Sequence, residues 1–149
     1  MIGSSPQDEC VAATERLLPS MAQRELCQGE LSYLLARIKG AQVSVLATLD
    51  GRVVMHASHG KREPTDTAAI VRSLCTLGES LARESNWRDG RNALMETSAG
   101  HSAAQCLPAP IDRLILLTAC TRETNLGALL TYNRLCAEAI ARIATSPTG

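Results

Sequence analysis

Between Asp66 and Glu84 the chain reads DTAAIVRSLCTLGESLARE, a stretch with two apolar stripes where a simple globular helix needs one. Ile70, Leu74, Leu77 and Leu81 recur at steps of four, three and four, the spacing of a single helix face. Beside them run Ala68, Val71, Cys75, Gly78 and Ala82, at steps of three, four, three and four. The first stripe is bulky enough to pack on a sheet. The second consists mostly of small residues that let another helix approach, and a single layer of core does not require it. The pattern predicts a helix packed on its own domain and also against a partner, which points to a binding protein.

Strands flank this helix. Val43 to Leu49 places Val43, Val45, Ala47 and Leu49 on one side of a strand, and Asp50-Gly51 reads as a two-residue hairpin turn into a returning strand from Arg52 to Ser58. After a turn at Trp87 to Gly90 come three more strands, Asn92 to Ser98, Ser102 to Leu107 and Arg113 to Thr121. The run Leu114-Ile115-Leu116-Leu117 is apolar on both faces, as in a central strand covered on two sides. A last helix is expected from Thr124 to Ala144, burying Leu126, Leu129, Asn133, Cys136, Ile140 and Ile143. Upstream, Ser5 and Pro6 suit a helix start, and Pro19 stops that helix after Leu18. Ser20 to Gln23 has capping-box spacing, Gly29 is expected to break or delay the next helix, and Glu30 to Lys39 is firmly helical. The order is therefore helix, two strands, helix, three strands, helix, with one extra helix in front. The expected division is an extension over 1–25, one domain over 26–144 and a disordered tail over 145–149.

Composition narrows the function. With no Phe, one Trp and two Tyr, the chain lacks the aromatic platforms on which single-stranded nucleic acids stack. Fifteen basic and fifteen acidic residues cancel, so attraction to nucleic acid or an anionic membrane is not encoded in the net charge. No apolar run approaches the roughly 18 residues of a membrane span. Met1 to Glu9 lacks the basic and apolar regions of a secretory leader. The six cysteines, Cys10, Cys27, Cys75, Cys106, Cys120 and Cys136, fall mostly within periodic apolar segments, so buried thiols in a reduced, cytoplasmic protein are expected.

Chemistry-bearing residues are few. His56 and His59, with Glu63 or a cysteine, have the makings of a zinc site, but no second closely spaced ligand pair accompanies them. Cys106, five residues after His101, lacks an orienting carboxylate and an oxyanion device. Solvated histidines and a buried cysteine are the simpler reading. No catalytic residue, cofactor site or metal site is expected. Trp87 is expected to cap the core. Arg72, Thr76, Glu79 and Arg83 stand on the polar side of the striped helix, a solvated face or a docking surface.

The order of elements, the hairpin around Asp50-Gly51, the Ala- and Leu-rich helix Thr65 to Leu81, and Asn125-Leu126-Gly127 after the last strand together resemble the roadblock/LC7 domain over about residues 30–143. Lys39-Gly40 stands where that family often has Pro-Gly, and Pro108-Ala109-Pro110 is stiffer than its usual Gly-rich turn. The resemblance implies an α-β-β-α-β-β-β-α, profilin-like α/β sandwich. Its five-stranded antiparallel sheet would carry the second helix on one face and the first and third on the other. It also implies a dimer, with itself or with a roadblock relative, in which third strands pair edge to edge and second helices pack together. Here that strand is Asn92 to Ser98, with Ala93, Leu94, Met95, Glu96 and Thr97 at its middle. The stripe Ala68, Val71, Cys75, Gly78, Ala82 then reads as the helix seam. The resemblance implies a noncatalytic role, as scaffold and regulator of Ras-like small GTPases or as a dynein light chain-like accessory chain of a motor complex; the GTPase is the favoured partner, docking around Arg72, Thr76, Glu79 and Arg83. A small-ligand sensing module of similar layered build is the alternative.

Overall fold

The computed structural model describes residues 20–59, 64–84, 86–87, 90–97 and 100–146. The expected helix from Ser5 to Leu18, Cys10, Glu63 and residues 147–149 lie outside them.

The first helix, α1 (Met21–Arg37), is opened by a reciprocal cap. The Ser20 hydroxyl accepts the Gln23 backbone N–H at 3.0 Å, and the Gln23 side-chain oxygen accepts the Ser20 N–H at 3.2 Å. Such a cap contributes about 1 kcal/mol. That is comparable to the cost of Gly29, about 1 kcal/mol relative to Ala. Hence α1 runs unbroken through Gly29, where a break or delay was expected.

Strands β1 (Ala41–Thr48) and β2 (Val53–Ser58) form the expected hairpin with a different turn. Thr48 N–H donates to the Arg52 carbonyl at 2.8 Å, Gly51 N–H donates to the Thr48 carbonyl at 3.0 Å, and Gly51 has φ +89°. The loop is therefore three residues, Leu49 to Gly51, a type I turn closed by a left-handed glycine, and not the two-residue turn expected from Asp50-Gly51. Asp50 favours the wider loop: it accepts the Thr48 hydroxyl and pairs with Arg52 at 3.1 Å.

The remaining elements are α2 (Pro64–Ala82), β3 (Asn92–Thr97), β4 (Gly100–Cys106), β5 (Leu114–Cys120) and α3 (Leu126–Thr145). The sheet has order β2-β1-β5-β4-β3 with antiparallel neighbours throughout. Central β5 is buried at all seven positions, as its double-sided apolar run predicts. One sheet face (Leu46, Leu114, Leu116) packs on α1 and α3; the other (Val43, Val45, Ala47, Ile115, Leu117) packs on α2.

Asn125 caps α3 by accepting the Ala128 N–H at 2.9 Å. The helix becomes fully buried only at Leu129, so Leu126, expected inside, stays 37% exposed. Asn133 is buried as expected, its Oδ1 accepting the Thr118 hydroxyl at 2.7 Å from the sheet.

The five cysteines within the described residues are buried thiols. Burial, with Glu30 adding to it, pushes Cys27 and Cys136 up to about 12, and burial pushes Cys120 up to about 11 against a lowering hydrogen bond from Thr124. An unfolded thiol ionises near 9.0. Above that pH the unfolded chain sheds protons that the folded chain keeps, so their contribution is complete below pH 9 and falls as pH rises toward 12. Urea unfolding should thus lose about 1 kcal/mol per thiol per pH unit in that window. Replacing Cys27 and Cys136 together with Ala should flatten the slope, and an unchanged slope would refute the assignment.

Candidate partner interface

The sequence reading gives the bulky stripe of α2 to the sheet and the small stripe to a partner. The structure keeps most of the bulky stripe on the sheet, with Leu74 buried there and Ile70 and Leu81 packed against the same core, but brings much of the small stripe down on it as well. Val71 and Cys75 are 8% and 5% exposed, and a Cβ on Gly78 would meet Leu117 Cδ1 at 3.1 Å and Ile115 Cγ2 at 3.5 Å. These members of the small stripe lie on the chain's own sheet, joined there by Leu74. The reason is volume. The strands below present Val43, Val45, Ile115 and Leu117, so close packing is met by a helix face that comes down with small residues. Of the proposed seam, Ala68 is exposed and Ala82 is half-buried.

Leu77 goes to the flank, and Ile70 reaches both the core and the flank. Helix α2 lies across β1, β5 and β2. Beside it runs a groove of about 540 Å³, walled by Ile70, Ser73, Leu74 and Leu77 and floored by Ser102 and Ala119. Ile70 and Leu77 are half-buried. The groove-wall role of these two was missed because periodicity reports which residues share a face, not which face the sheet will choose.

Strand β3 is an edge of the sheet, hydrogen-bonded to β4. Ala93 and Met95 pack from it toward the α2 side, half-buried, while Leu94 and Glu96 are exposed. An edge with apolar side chains on both faces is a natural template for another strand. At its end His101 is largely buried, with Nδ1 lacking a hydrogen-bond partner among the described residues and lying 3.9 Å from Glu96 Oε1. His56 and His59 are exposed, and among the described residues no three His, Cys, Asp or Glu side chains are placed to hold a metal ion.

Of the polar residues singled out, Arg72, Thr76 and Glu79 lie on α2 and Arg83 one residue beyond it. Arg72 and Thr76 are exposed, with the Thr76 hydroxyl donating to the Arg72 carbonyl at 3.0 Å, and Glu79 pairs with Arg83 at 2.8 Å. Thr76 also borders the groove, so this stripe and the groove form one continuous surface. Trp87, as expected, is buried in the core under α2.

No protein-family model and no curated protein matches the chain by sequence. Solved structures do match. The gliding protein MglB from Thermus thermophilus aligns over 84% of this chain and 93% of its own, at 17% identity and a TM-score of 0.59. A roadblock/LC7 domain from Streptomyces avermitilis aligns over 78% and 96%, at 17% identity and a TM-score of 0.58. A structure of MglB in a tetrameric arrangement aligns over 84% and 92%, at 18% identity and a TM-score of 0.58. With five antiparallel strands, α2 on one face and α1 and α3 on the other, the chain has the fold of the roadblock/LC7 family.

Proposed function

We propose that this chain is a noncatalytic, dimeric scaffold that binds a Ras-like small GTPase and regulates it. The observation that carries the reading is the exposed edge of β3 beside an apolar groove. In the dimer, with itself or a roadblock relative, two β3 strands pair through Ala93 to Thr97. The groove walls Ile70 and Leu77 then meet the mate, with Ala68 and Ala82 at the margin. A two-fold contact of this kind satisfies the open backbone groups of both edges at once. Similarity to a gliding protein, and to one solved in a tetrameric arrangement, supports a role in an assembly.

The GTPase docks on the stripe Arg72, Thr76, Glu79, Arg83, which the two-fold axis duplicates. Any stimulation of hydrolysis comes from reshaping the GTPase's own site. The protein works in the cytoplasm, where buried thiols stay reduced, and no helix among the described residues is long and apolar enough to cross a membrane. The test is affinity capture from native lysate, repeated with GTP and GDP analogues. A small GTPase should be recovered with one nucleotide preferred, and recovery should drop at least about ten-fold with Arg72→Glu plus Arg83→Glu. Recovery of no GTPase under either nucleotide sinks the proposal.

The groove itself favours a second reading, a small-ligand sensor, because its volume is in the range of ligand pockets. A metabolite that co-purifies with the protein and is lost on Leu77→Arg would favour the sensor over the scaffold.

A further inference from the structure

The face opposite α2 carries features that neither the dimer nor the GTPase surface uses. Of the large apolar side chains exposed among the described residues, Met21, Leu26, Tyr33, Leu94, Leu126 and Leu135, five belong to α1 or α3. These helices run antiparallel: near one end Gln23 Nε2 donates to the Ile143 carbonyl at 3.1 Å, and near the other Arg37 reaches Tyr132. Along α1, Leu26, Glu30, Tyr33 and Arg37 recur at steps of four, three and four. Along α3, Tyr132, Leu135, Ala139 and Arg142 recur at steps of three, four and three. Most of these residues line a shallow groove of about 200 Å³ between the two helices.

The charges in this groove are specific. The Arg37 guanidinium sits 5.0 Å from the Tyr33 ring centroid and 4.4 Å from that of Tyr132. Both tyrosines of the chain are thus used to hold one arginine. Cation–π contacts occupy the faces of a guanidinium and leave its edge N–H donors for a carboxylate. Among the described residues no carboxylate pairs with Arg37 or Arg142, whereas neighbouring Arg134 is paired with Glu138 at 3.0 Å. Arg142 stands ten residues beyond Tyr132 (132 to 142), about 15 Å along the helix.

We propose that this groove docks an amphipathic helix of a protein partner. Its apolar residues lie on Leu26, Tyr33 and Leu135, and two of its carboxylates engage Arg37 and Arg142. Eleven residues make three helical turns, about 16 Å, so the docking helix carries those acidic residues about eleven positions apart on one face. A non-acidic residue stands between them, opposite Glu30. The proposal is independent of the GTPase reading, because the sheet separates this face from α2.

The probe is a synthetic 18-residue amphipathic helix with Leu along one face and two Glu eleven positions apart, labelled for fluorescence anisotropy against the full chain. The control peptide has Lys in place of both Glu. The acidic peptide should bind at least ten-fold more tightly, weaken with salt, and shift the ring resonances of Tyr33 and Tyr132. Arg37→Glu with Arg142→Glu should remove at least ten-fold of that affinity and reverse the preference. Both arginines are exposed, so the fold should survive, and if it does not, the exposed Leu135→Asp reports on the same surface. Equal binding of the two peptides, or undiminished binding by the charge-reversed chain, overturns the proposal. It is equally overturned if the double variant sediments as a smaller species, which gives the groove to a second copy. Displacement of the acidic peptide by a synthetic peptide of residues 5–18 overturns it too, since the occupant is then the chain's own leading segment.

Discussion

Leu77→Arg should leave the chain folded and separate the proposed dimer, raising its dissociation constant at least about 100-fold, the effect of placing an unpaired charge at the centre of an apolar contact. Leu77 is half-buried on the groove wall, so in the isolated chain the arginine can extend into solvent, at a cost of about 1 kcal/mol. Cys75→Arg, two residues away, should behave differently. Cys75 is 5% exposed against the sheet, and a guanidinium there has no room and, among the described residues, no buried carboxylate to pair with. Breaking the core this way costs more than about 4 kcal/mol, a large part of the typical 5–15 kcal/mol of a domain. Sedimentation velocity over a range of concentrations, alongside thermal melts, separates the two outcomes. If Leu77→Arg remains a dimer at micromolar concentration, the groove is not the seam.

Gly100→Ala should be the most damaging single-methyl change, costing about 3 kcal/mol or more. Gly100 opens β4 with φ +152°, and a Cβ there would fall on the backbone carbonyl of Cys120. Backbone strain alone costs on the order of 1–3 kcal/mol, and the methyl adds overpacking of similar size. The obstacle is a strand, so relief requires moving the start of β4 away from β5, where His101 opposes Cys120. Gly78→Ala is the informative contrast. Its tightest neighbour is the Leu117 side chain at 3.1 Å, which can shift, and the helix gains about 1 kcal/mol in propensity. That substitution should be neutral to within about 1 kcal/mol. Urea unfolding of both variants gives the comparison directly, and equal effects would mean that the β4–β5 approach at Gly100 is not as close as described.

The elements were legible because most of them follow local rules. The period-two alternation of Val43, Val45 and Ala47, the double-sided run Leu114 to Leu117, and the Ser20 cap all act within a few residues of themselves. The hairpin was legible as a hairpin but not in its length, because a side-chain network among Thr48, Asp50 and Arg52 selected the wider loop. The outward groove between α1 and α3 went unread because Tyr33, Arg37 and Tyr132 meet only when two helices far apart in the chain are laid side by side.

For the helix between Asp66 and Glu84, residue spacing alone establishes that two apolar stripes exist and that one of them exceeds what a single core layer needs. How the two stripes share the sheet was a tertiary decision. Periodicity fixes the angle between two stripes on a helix but carries no information about the relief of the surface below. Here Ile115 and Leu117 fill the volume under α2, so Val71, Cys75 and Gly78 come down on them beside Leu74, Ile70 stands at the margin of that core, and Leu77 is turned toward the open groove.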